Sequence, residues 1–347
     1  MAEIALRAQP ETGRAATRVP TGVVILVLAV LTVFLCLTSL AIGSRNLTLE
    51  ELASVFVPGE RTVASIIVWQ LRMPRTVLAV MVGAALAVAG VVMQGLTRNP
   101  LAEPGLLGVN AGASLSVVLS MSLLGLTDVS DFLWFAFAGA ALAAFLVHLM
   151  SVRSADAGPA RLVLAGVALG ASLRSITGTV TMYDSVTFDS YRFWVLGSLA
   201  DRDAALLVWV APFLVVGLVM ALASGLTLNA LALGEEQAKA LGVSPGRARA
   251  LALTSITLLC GASTAAVGPI SFIGLVVPHV LRLALGADQR KLLAVSVVAG
   301  PVLLLAADIL GRVILDSGEM EAGVVTAFIG GPVLLLMVIQ RMGVRGR

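Results

Sequence analysis

Long apolar runs alternate with short polar connections along almost the whole chain. Crossing the hydrocarbon core of a bilayer as a helix takes about 20 predominantly apolar residues. Most of the runs reach that length, so the pattern predicts an all-α, polytopic membrane protein with about ten transmembrane helices in a single domain, 1–347. The predicted spans are 22–43, 76–97, 106–125, 132–152, 162–182, 204–224, 248–267, 271–285, 292–311 and 322–340.

The composition agrees with helices that are solvated by lipid. The chain is 59% hydrophobic and 12% charged, whereas soluble domains carry about 25% charged residues. Its 34 glycines suit tightly packed membrane helices better than a β-barrel. Two cysteines and two histidines form neither a disulfide framework nor a metal-ligand cluster. We therefore expect no metal, no cofactor and, despite a pI near 9.3, no nucleic-acid binding.

The distribution of basic residues predicts the orientation of the chain. An even number of spans places both termini on the same side of the membrane, and most of the 23 Lys and Arg residues fall on that side. Cytoplasmic connections carry an excess of basic residues. We therefore expect the polar N-terminal segment 1–21 and the loop 225–247 in the cytoplasm, and the run 22–43 as an uncleaved first span.

Three connections are predicted to contain helices that do not cross the membrane. The segment 48–57, with a Thr cap and an acidic first turn, predicts a short helix outside the bilayer. The segment 183–203 is too polar to cross and predicts an interfacial helix. The loop 225–247 predicts two short helices, with a break at Gly242 and Pro245. The expected aromatic anchors of the interfacial helix are Phe188, Tyr191, Phe193 and Trp194.

The fifth run, 162–182, contains a full charge. Gly166, Gly170, Arg174 and Gly178 recur every fourth residue and share one face of a helix. A guanidinium that faces lipid costs several kcal/mol, so we expect Arg174 to face a polar passage lined by these residues. The alternative is that Arg174 lies near the outer end of the helix and extends to the lipid headgroups.

The sequence argues against two other classes of membrane protein. A phosphate-binding P-loop is absent, because neither Lys239 nor Lys291 follows a glycine. No nucleophile–base pair or pair of carboxylates indicates an enzyme. An ion-coupled secondary transporter usually has carboxylates at mid-membrane, and none is predicted there, since Asp308 lies near the end of its run and 98–104 is expected as a tight cytoplasmic turn.

Six motifs in order resemble, over nearly the full length, the permease family of iron–siderophore and cobalamin ABC importers. The stretch 98–114 is most similar to permeases for catecholate siderophores such as ferric enterobactin. The motifs are RMPR (72–75), MQGLTRNPLAEPGLLGVNAGAS (93–114), RFWVLGSL (192–199), ALGEEQAKALGV (232–243), GPISFIGLVVPH (268–279) and ADILGR (307–312).

The resemblance implies a type II ABC importer permease fold in the bacterial cytoplasmic membrane. It implies four partners: a second permease subunit, identical or paralogous, two ATPase subunits, and an extracytoplasmic binding protein. The cargo would be an intact ferric siderophore, with cobalamin or haem as the alternative. The chain itself would not be an enzyme, since ATP hydrolysis would belong to the separate ATPase subunits.

The resemblance also assigns residues. The stretch 232–243 matches the helix that couples the permease to its ATPase, and Arg72, Arg75 and Arg312 match arginines that dock the binding protein. For Arg312 an alternative is an internal ion pair with Asp308, four residues earlier. The predicted coupling residues are Leu233, Gly234, Glu235, Glu236, Ala238, Leu241 and Gly242.

Overall fold

The structure is a computed structural model that describes residues 20–43, 45–55, 62–152, 159–315 and 318–345. Most of the predicted N-terminal segment 1–21 lies outside the described residues, as does much of the connection 153–161. A π-helical segment, Ile67–Arg72, joins α3 to α4, and a 3-10 turn, Pro104–Leu107, precedes α5. The helices are α1 (Thr21–Ala41), α2 (Leu49–Ser54), α3 (Val63–Ile66), α4 (Met73–Thr97), α5 (Val109–Leu124), α6 (Val129–Val152), α7 (Pro159–Tyr183), α8 (Ser185–Val195), α9 (Ala204–Ala223), α10 (Gly225–Ala232), α11 (Glu235–Ala240), α12 (Pro245–Val267), α13 (Ile273–Leu285), α14 (Gln289–Val313) and α15 (Ala322–Arg345).

Eight helical stretches among the described residues are long and apolar enough to cross a membrane. They correspond to the predicted spans other than the third and the eighth. In those two places the structure has shorter apolar helices, α5 with 16 residues and α13 with 13. Both predicted segments are therefore confirmed as apolar helices, with ends within three residues of the predicted 106–125 and 271–285.

Two faces of the bundle carry the short connecting helices. The α8 face comprises α2, α8 and the connection between α14 and α15, and the α11 face comprises α10, α11 and the turn between α13 and α14. On the α8 face, α2 confirms the helix expected within 48–57, although residues 56 and 57 lie outside the described residues. It begins with a capping box, in which the Thr48 side chain accepts from Glu51 N–H and the Glu51 carboxylate accepts from Thr48 N–H.

Helix α8 confirms that 183–203 contains a short helix, and only part of its predicted aromatic set faces outward. Phe188 and Phe193 are exposed, whereas Trp194 is 3% exposed and meets the ring of Phe132 edge to face at 6.2 Å. Tyr191 packs partly buried against the same core. Trp194 therefore anchors α8 to the bundle rather than to the membrane interface.

The loop predicted at 225–247 is more helical than expected. Its first part forms α10, and α11 follows after Gly234, whose φ is +122°. The predicted second short helix is in fact the first turn of the long helix α12, which begins at Pro245. Proline suits this position because its fixed φ matches a helix start and its missing N–H would have no partner there.

Helices α4, α12 and α14 form the interior of the bundle, and glycines allow α4 to approach its neighbours closely. A Cβ on Gly83 would lie 2.8 Å from the carbonyl oxygen of Gly300 in α14. A Cβ on Gly90 would lie 2.0 Å from the carbonyl oxygen of Gly274 in α13. Lipid tails are as apolar as the side chains, so burying side chains between membrane helices gives no hydrophobic gain. Close packing of the backbones stabilises these helix contacts instead.

Helices α5 and α13 begin inside the bundle rather than at its surface. Gly274 packs against Gly90, and its carbonyl oxygen accepts from Gln94 Nε2 at 3.3 Å. Gly90 lies about 10 Å from the end of α4 at Thr97, given a rise of 1.5 Å per residue. Pro104, just before α5, packs against the same Gly274. The connection 98–108 therefore folds back from the α11 face into the interior, and only its first residues form the predicted tight turn.

The contact between Gly90 and Gly274 generates a stability prediction. Gly90→Ala should lower the free energy of unfolding by about 1–3 kcal/mol or more, because the new methyl group meets backbone that cannot move aside. Thermal unfolding of the purified permease in detergent measures the effect. Gly331→Ala in α15, where a Cβ meets nothing within 4 Å, is the matched control. Equal melting temperatures for the two variants would contradict the packing argument.

Candidate translocation route and contact sites

Helix α7 presents polar side chains on a surface that the chain itself does not cover. Ser172, Arg174, Ser175 and Thr179 are all exposed in the middle and second half of this helix. The hydroxyl groups of Ser172 and Thr179 donate to carbonyl oxygens one turn earlier, so the helix satisfies them itself. The guanidinium of Arg174 remains as an exposed charge on a membrane-spanning helix, which is costly against lipid.

The four residues predicted to share a passage-lining face have different surroundings. Gly166 is buried, and a Cβ there would lie 2.0 Å from the carbonyl oxygen of Leu106, so this residue packs against the connection 98–108. Gly170 is also buried. Arg174 and Gly178 are exposed. We call the exposed second half of α7 the candidate route surface. Of the four residues predicted to line a passage, only Arg174 and Gly178 are accessible there.

The Arg174 side chain points along α7 toward the N-terminal end of the helix. Its Nη1 lies 3.5 Å from the Cβ position of Gly170, one turn earlier. A side chain that extends to headgroups near Tyr183 would have to point the other way. The passage-facing role of Arg174 and the headgroup alternative both stay predictions.

On the α11 face, the predicted coupling residues divide into a packed side and an exposed side. Ala238 is fully buried against Leu231 and Ala248, and Glu235 forms an ion pair with Arg249 of α12. These contacts fix α11 to the bundle. Gly234 and Gly242 flank the helix with positive φ, and Glu236 is exposed. The remaining predicted residues, Leu233 and Leu241, are each 64% exposed. Two exposed leucines beside a short, fixed helix can fill a groove of another protein.

On the α8 face, the carboxylate of Asp308 lies at the centre of a charged cluster. Arg75 Nη2 and Nε donate to Asp308 Oδ1 at 2.8 and 3.0 Å, and Arg75 Nη1 reaches Glu319 Oε2 at 2.6 Å. Arg312 forms a second ion pair with Asp308, and these two side chains are each 1% exposed. The cluster thus joins α4, α14 and the connection before α15.

Arg72 and Arg312 also close the C-terminal end of α1. Arg72 Nη1 donates to the carbonyl oxygens of Leu40 and Ala41 at 2.7 and 2.8 Å. Arg312 Nη1 donates to that of Ser39 at 2.8 Å. The last carbonyl groups of a helix have no partner within it, and a cation there also matches the helix dipole. Both arginines therefore anchor α1, which is otherwise largely exposed.

The docking role of Arg72, Arg75 and Arg312 stays a prediction. Arg72 is 6% exposed and Arg312 is 7% exposed, and all three guanidinium groups have partners within the chain. The internal ion pair considered as an alternative for Arg312, with Asp308, is present. Of the three, Arg75 comes nearest to a binding surface, because it lines two cavities on the α8 face.

These two cavities have volumes of about 350 and 470 Å³. Arg75, Glu319 and the residues 200–202 line both of them, so they adjoin. Arg202 Nε donates to the carbonyl oxygen of Ser198 at 3.3 Å, and burial away from water lowers the pKa of Arg202 to about 10. Arg202 is still charged at neutral pH, and sequence reasoning did not single it out.

Sequence reasoning also missed Glu103. The prediction placed it in a cytoplasmic turn and found no carboxylate at mid-membrane. The structure instead folds Glu103 into the bundle, where its Oε1 accepts from the backbone N–H of Phe272 at 2.7 Å. No local pattern indicates this position, because it depends on the connection 98–108 turning inward.

Comparison with known proteins identifies the chain. The sequence profile of the FecCD transport family matches residues 31–340. The chain belongs to this family. The match includes every described membrane-spanning helix except the first half of α1 and the last five residues of α15.

Two relatives and one solved structure illustrate what this FecCD permease is similar to. It is 45% identical over 305 residues to the ferric enterobactin transport system permease protein FepD of Escherichia coli (strain K12), covering 87% of this chain and 91% of FepD. It is 39% identical over 332 residues to the vitamin B12 import system permease protein BtuC of Yersinia pseudotuberculosis serotype O:1b (strain IP 31758), covering 94% of this chain and 93% of BtuC. A structure described as an inward-facing conformation of a metal-chelate type ABC transporter matches with a TM-score of 0.81 at 28% identity, covering 92% of this chain and 99% of that chain.

These findings confirm three predictions. The resemblance to ABC importer permeases is real, the fold is the all-α fold of a type II importer permease, and this FecCD protein is a membrane permease.

The Asp308 cluster of this FecCD permease generates a second stability prediction. Asp308→Asn should lower the free energy of unfolding by about 3–5 kcal/mol, because it leaves the buried Arg312 without a counter-charge and removes one of the two carboxylates that pair with Arg75. Asp189→Asn is the control, since Asp189 and Arg192 form an exposed pair that contributes about 1 kcal/mol or less. Thermal unfolding in detergent compares the two, and a D308N protein as stable as D189N would refute the central role of Asp308.

Proposed function

We propose that this permease forms the route by which a bacterial ATP-driven importer moves a ferric siderophore across the cytoplasmic membrane. The relative with 45% identity is a ferric enterobactin permease, and the similar solved structure is a metal-chelate transporter. The iron of such a chelate is already fully coordinated, so the permease passes it intact without supplying ligands. Cobalamin is the alternative cargo, as in the relative BtuC, and haem is the other alternative within the family.

The exposed polar surface of α7 is the observation that carries this proposal. A helix that shows Arg174 and several hydroxyl groups to lipid would be unstable in the membrane, so this surface faces protein or water. A second permease subunit, identical or paralogous, packs beside α7 and encloses a polar route between the two subunits. A ferric catecholate is anionic, and Arg174 balances its charge during passage.

We propose that the two ATPase subunits bind the two permease subunits at α11, one ATPase at each copy of the helix. The exposed Leu233 and Leu241 fill a groove in the ATPase, while Ala238 and the Glu235–Arg249 pair fix α11 to the bundle. Movement of the ATPase on ATP binding and hydrolysis is transmitted to the bundle as a rigid-body displacement, which alternately opens the route to each side. ATP hydrolysis thus takes place in a separate subunit.

The orientation follows from charge. The α11 face and both termini lie in the cytoplasm, because the connections on that side carry the excess of basic residues. The α8 face then receives the extracytoplasmic binding protein. The larger of the two cavities, whose lining has five arginines against three carboxylates, offers a complementary site for acidic groups of that protein. Arg72 and Arg312 contribute to docking by stabilising the conformation of the α8 face.

Uptake by the assembled importer tests the cargo. We expect proteoliposomes that contain the permease, its ATPase subunits and its binding protein to accumulate radioactive iron presented as ferric enterobactin, and to do so only with ATP. Cyanocobalamin and haemin serve as competing cargoes under the same conditions. Preferential uptake of either compound would identify that compound as the cargo. Uptake driven by an ion gradient without ATP would contradict the importer mechanism.

The charge-balance role of Arg174 makes a separate prediction. Arg174→Gln should slow ferric enterobactin uptake by about tenfold, the effect of losing one charge-assisted interaction, while assembly with the ATPase stays normal. Arg161→Gln removes an exposed arginine from the first turn of the same helix, outside the candidate route surface, and is the matched control. Wild-type uptake kinetics in R174Q would exclude Arg174 from the passage.

A further inference from the structure

The carboxylate of Glu103 lies inside the bundle, where the connection 98–108 meets the start of α13. Its Oε1 accepts a hydrogen bond from Phe272 N–H at 2.7 Å, between residues 169 positions apart. Glu103 is partly buried, and taking a carboxylate out of water among apolar helices is costly unless the group is hydrogen-bonded. An apolar side chain would fill the same space without this cost, so the carboxylate performs a task that packing alone does not.

That task concerns the backbone of Phe272. This residue has a φ of +71°, a left-handed conformation that is unfavourable for a bulky side chain. It precedes the first turn of α13, whose amide groups have no partner within the helix. The Glu103 carboxylate satisfies the Phe272 amide and places a negative charge at the positive end of the helix dipole. Its hydrogen bond therefore stabilises a strained helix start.

The Phe272 side chain also packs against α15. A Cβ on Gly330 of α15 would lie 2.2 Å from the Cβ of Phe272. Phe272 thus connects α13, α15 and, through Glu103, the connection 98–108. A change at any of these contacts reaches the other two.

The same residue 103 determines how α5 begins and what it contacts. The carbonyl oxygen of Glu103 accepts from Leu106 N–H at 3.0 Å, which closes the 3-10 turn before Gly108. Gly108 lies against the carbonyl oxygen of Gly166 in α7. The backbone of Glu103 is therefore joined to the route helix α7, while its side chain is joined to α13.

At its other end, α13 connects to the α11 face. Asn229 of α10 donates through Nδ2 to Asp288 Oδ1 and accepts from Gln289 N–H, both at 2.9 Å, in the turn between α13 and α14. Since α10 leads directly into α11, contiguous contacts run from the coupling helix through α13 and Glu103 to α7. The hydrogen bond between Glu103 and Phe272 is the mid-bundle step in this series.

We propose that Glu103 is a positioning residue for transport: its hydrogen bond to Phe272 makes α13 and the connection 98–108 move as one unit. Displacement of α11 by the ATPase then reaches the route surface of α7. The hydrogen bond acts through the carboxylate oxygen as an acceptor, and no proton is carried by Glu103. The transport consequence rests on the proposed function, whereas the bond itself does not.

Hydrogen exchange tests the bond in the assembled complex of permease, ATPase subunits and binding protein. Glu103→Ala should raise amide exchange in a peptide covering 268–276 by about tenfold, since a protecting acceptor is lost. Glu103→Gln keeps a side-chain oxygen and should retain protection close to wild type. Glu50→Ala, at an exposed glutamate of α2, should change nothing there. Wild-type protection in E103A, or lost protection in E103Q, overturns the proposal.

Transport coupling distinguishes positioning from mere stability. In proteoliposomes, E103A should move about tenfold fewer ferric enterobactin molecules per ATP hydrolysed, with basal ATPase activity preserved, and E103Q should restore the ratio. A proportional fall of uptake and ATPase activity would mean that Glu103 is only structural, and a ratio in E103Q as low as in E103A would mean that its charge matters instead. Failure of E103A to assemble would likewise mean that Glu103 is structural, and would overturn the proposal. Absence of uptake by the wild type would refute the cargo while leaving the exchange result interpretable.

Discussion

The need to satisfy backbone polar groups inside an apolar bundle explains most of the unusual side chains in this permease. Unpaired N–H and C=O groups in lipid cost several kcal/mol each, so helices that begin or end at depth require partners. Arg72 and Arg312 supply donors to the end of α1, and Glu103 supplies an acceptor to the start of α13. The buried charges are thus explained first by helix termini, and functional roles build on that arrangement.

Close packing stabilises the interior of the bundle, and polar contacts stabilise its two faces. Glycine contacts along α4 bring α13 and α14 against it without space for side chains. The Asp308 cluster then ties α4 and α14 together at the α8 face, and Asn229 ties α10 to the α13–α14 turn at the α11 face. Helix α7, in contrast, is largely uncovered by its own chain. A packed body with one uncovered polar helix is what a subunit that borders a shared route requires.

Three arginines on the α8 face were assigned one role by the family resemblance and have other contacts in the structure. The resemblance assigned Arg72, Arg75 and Arg312 to the docking of a partner, and their positions at the α8 face agree with that location. Their side chains, however, are engaged within the chain. Arg75 and Arg202 line both cavities on the α8 face, whereas Arg72 and Arg312 line only one of them.

Hydropathy and run length determined most of the architecture from the sequence alone, because membrane insertion depends on local apolarity that neighbouring residues share. The eight long spans, the capped helix α2 and the short helix α11 all follow from such local signals. Only the tertiary structure decided where α5 and α13 begin, that Trp194 faces inward, and that Glu103 contacts the start of α13. These features depend on contacts between residues far apart in the chain, such as Glu103 with Phe272 and Arg72 with Leu40, and no periodicity or composition of a segment encodes its distant partner.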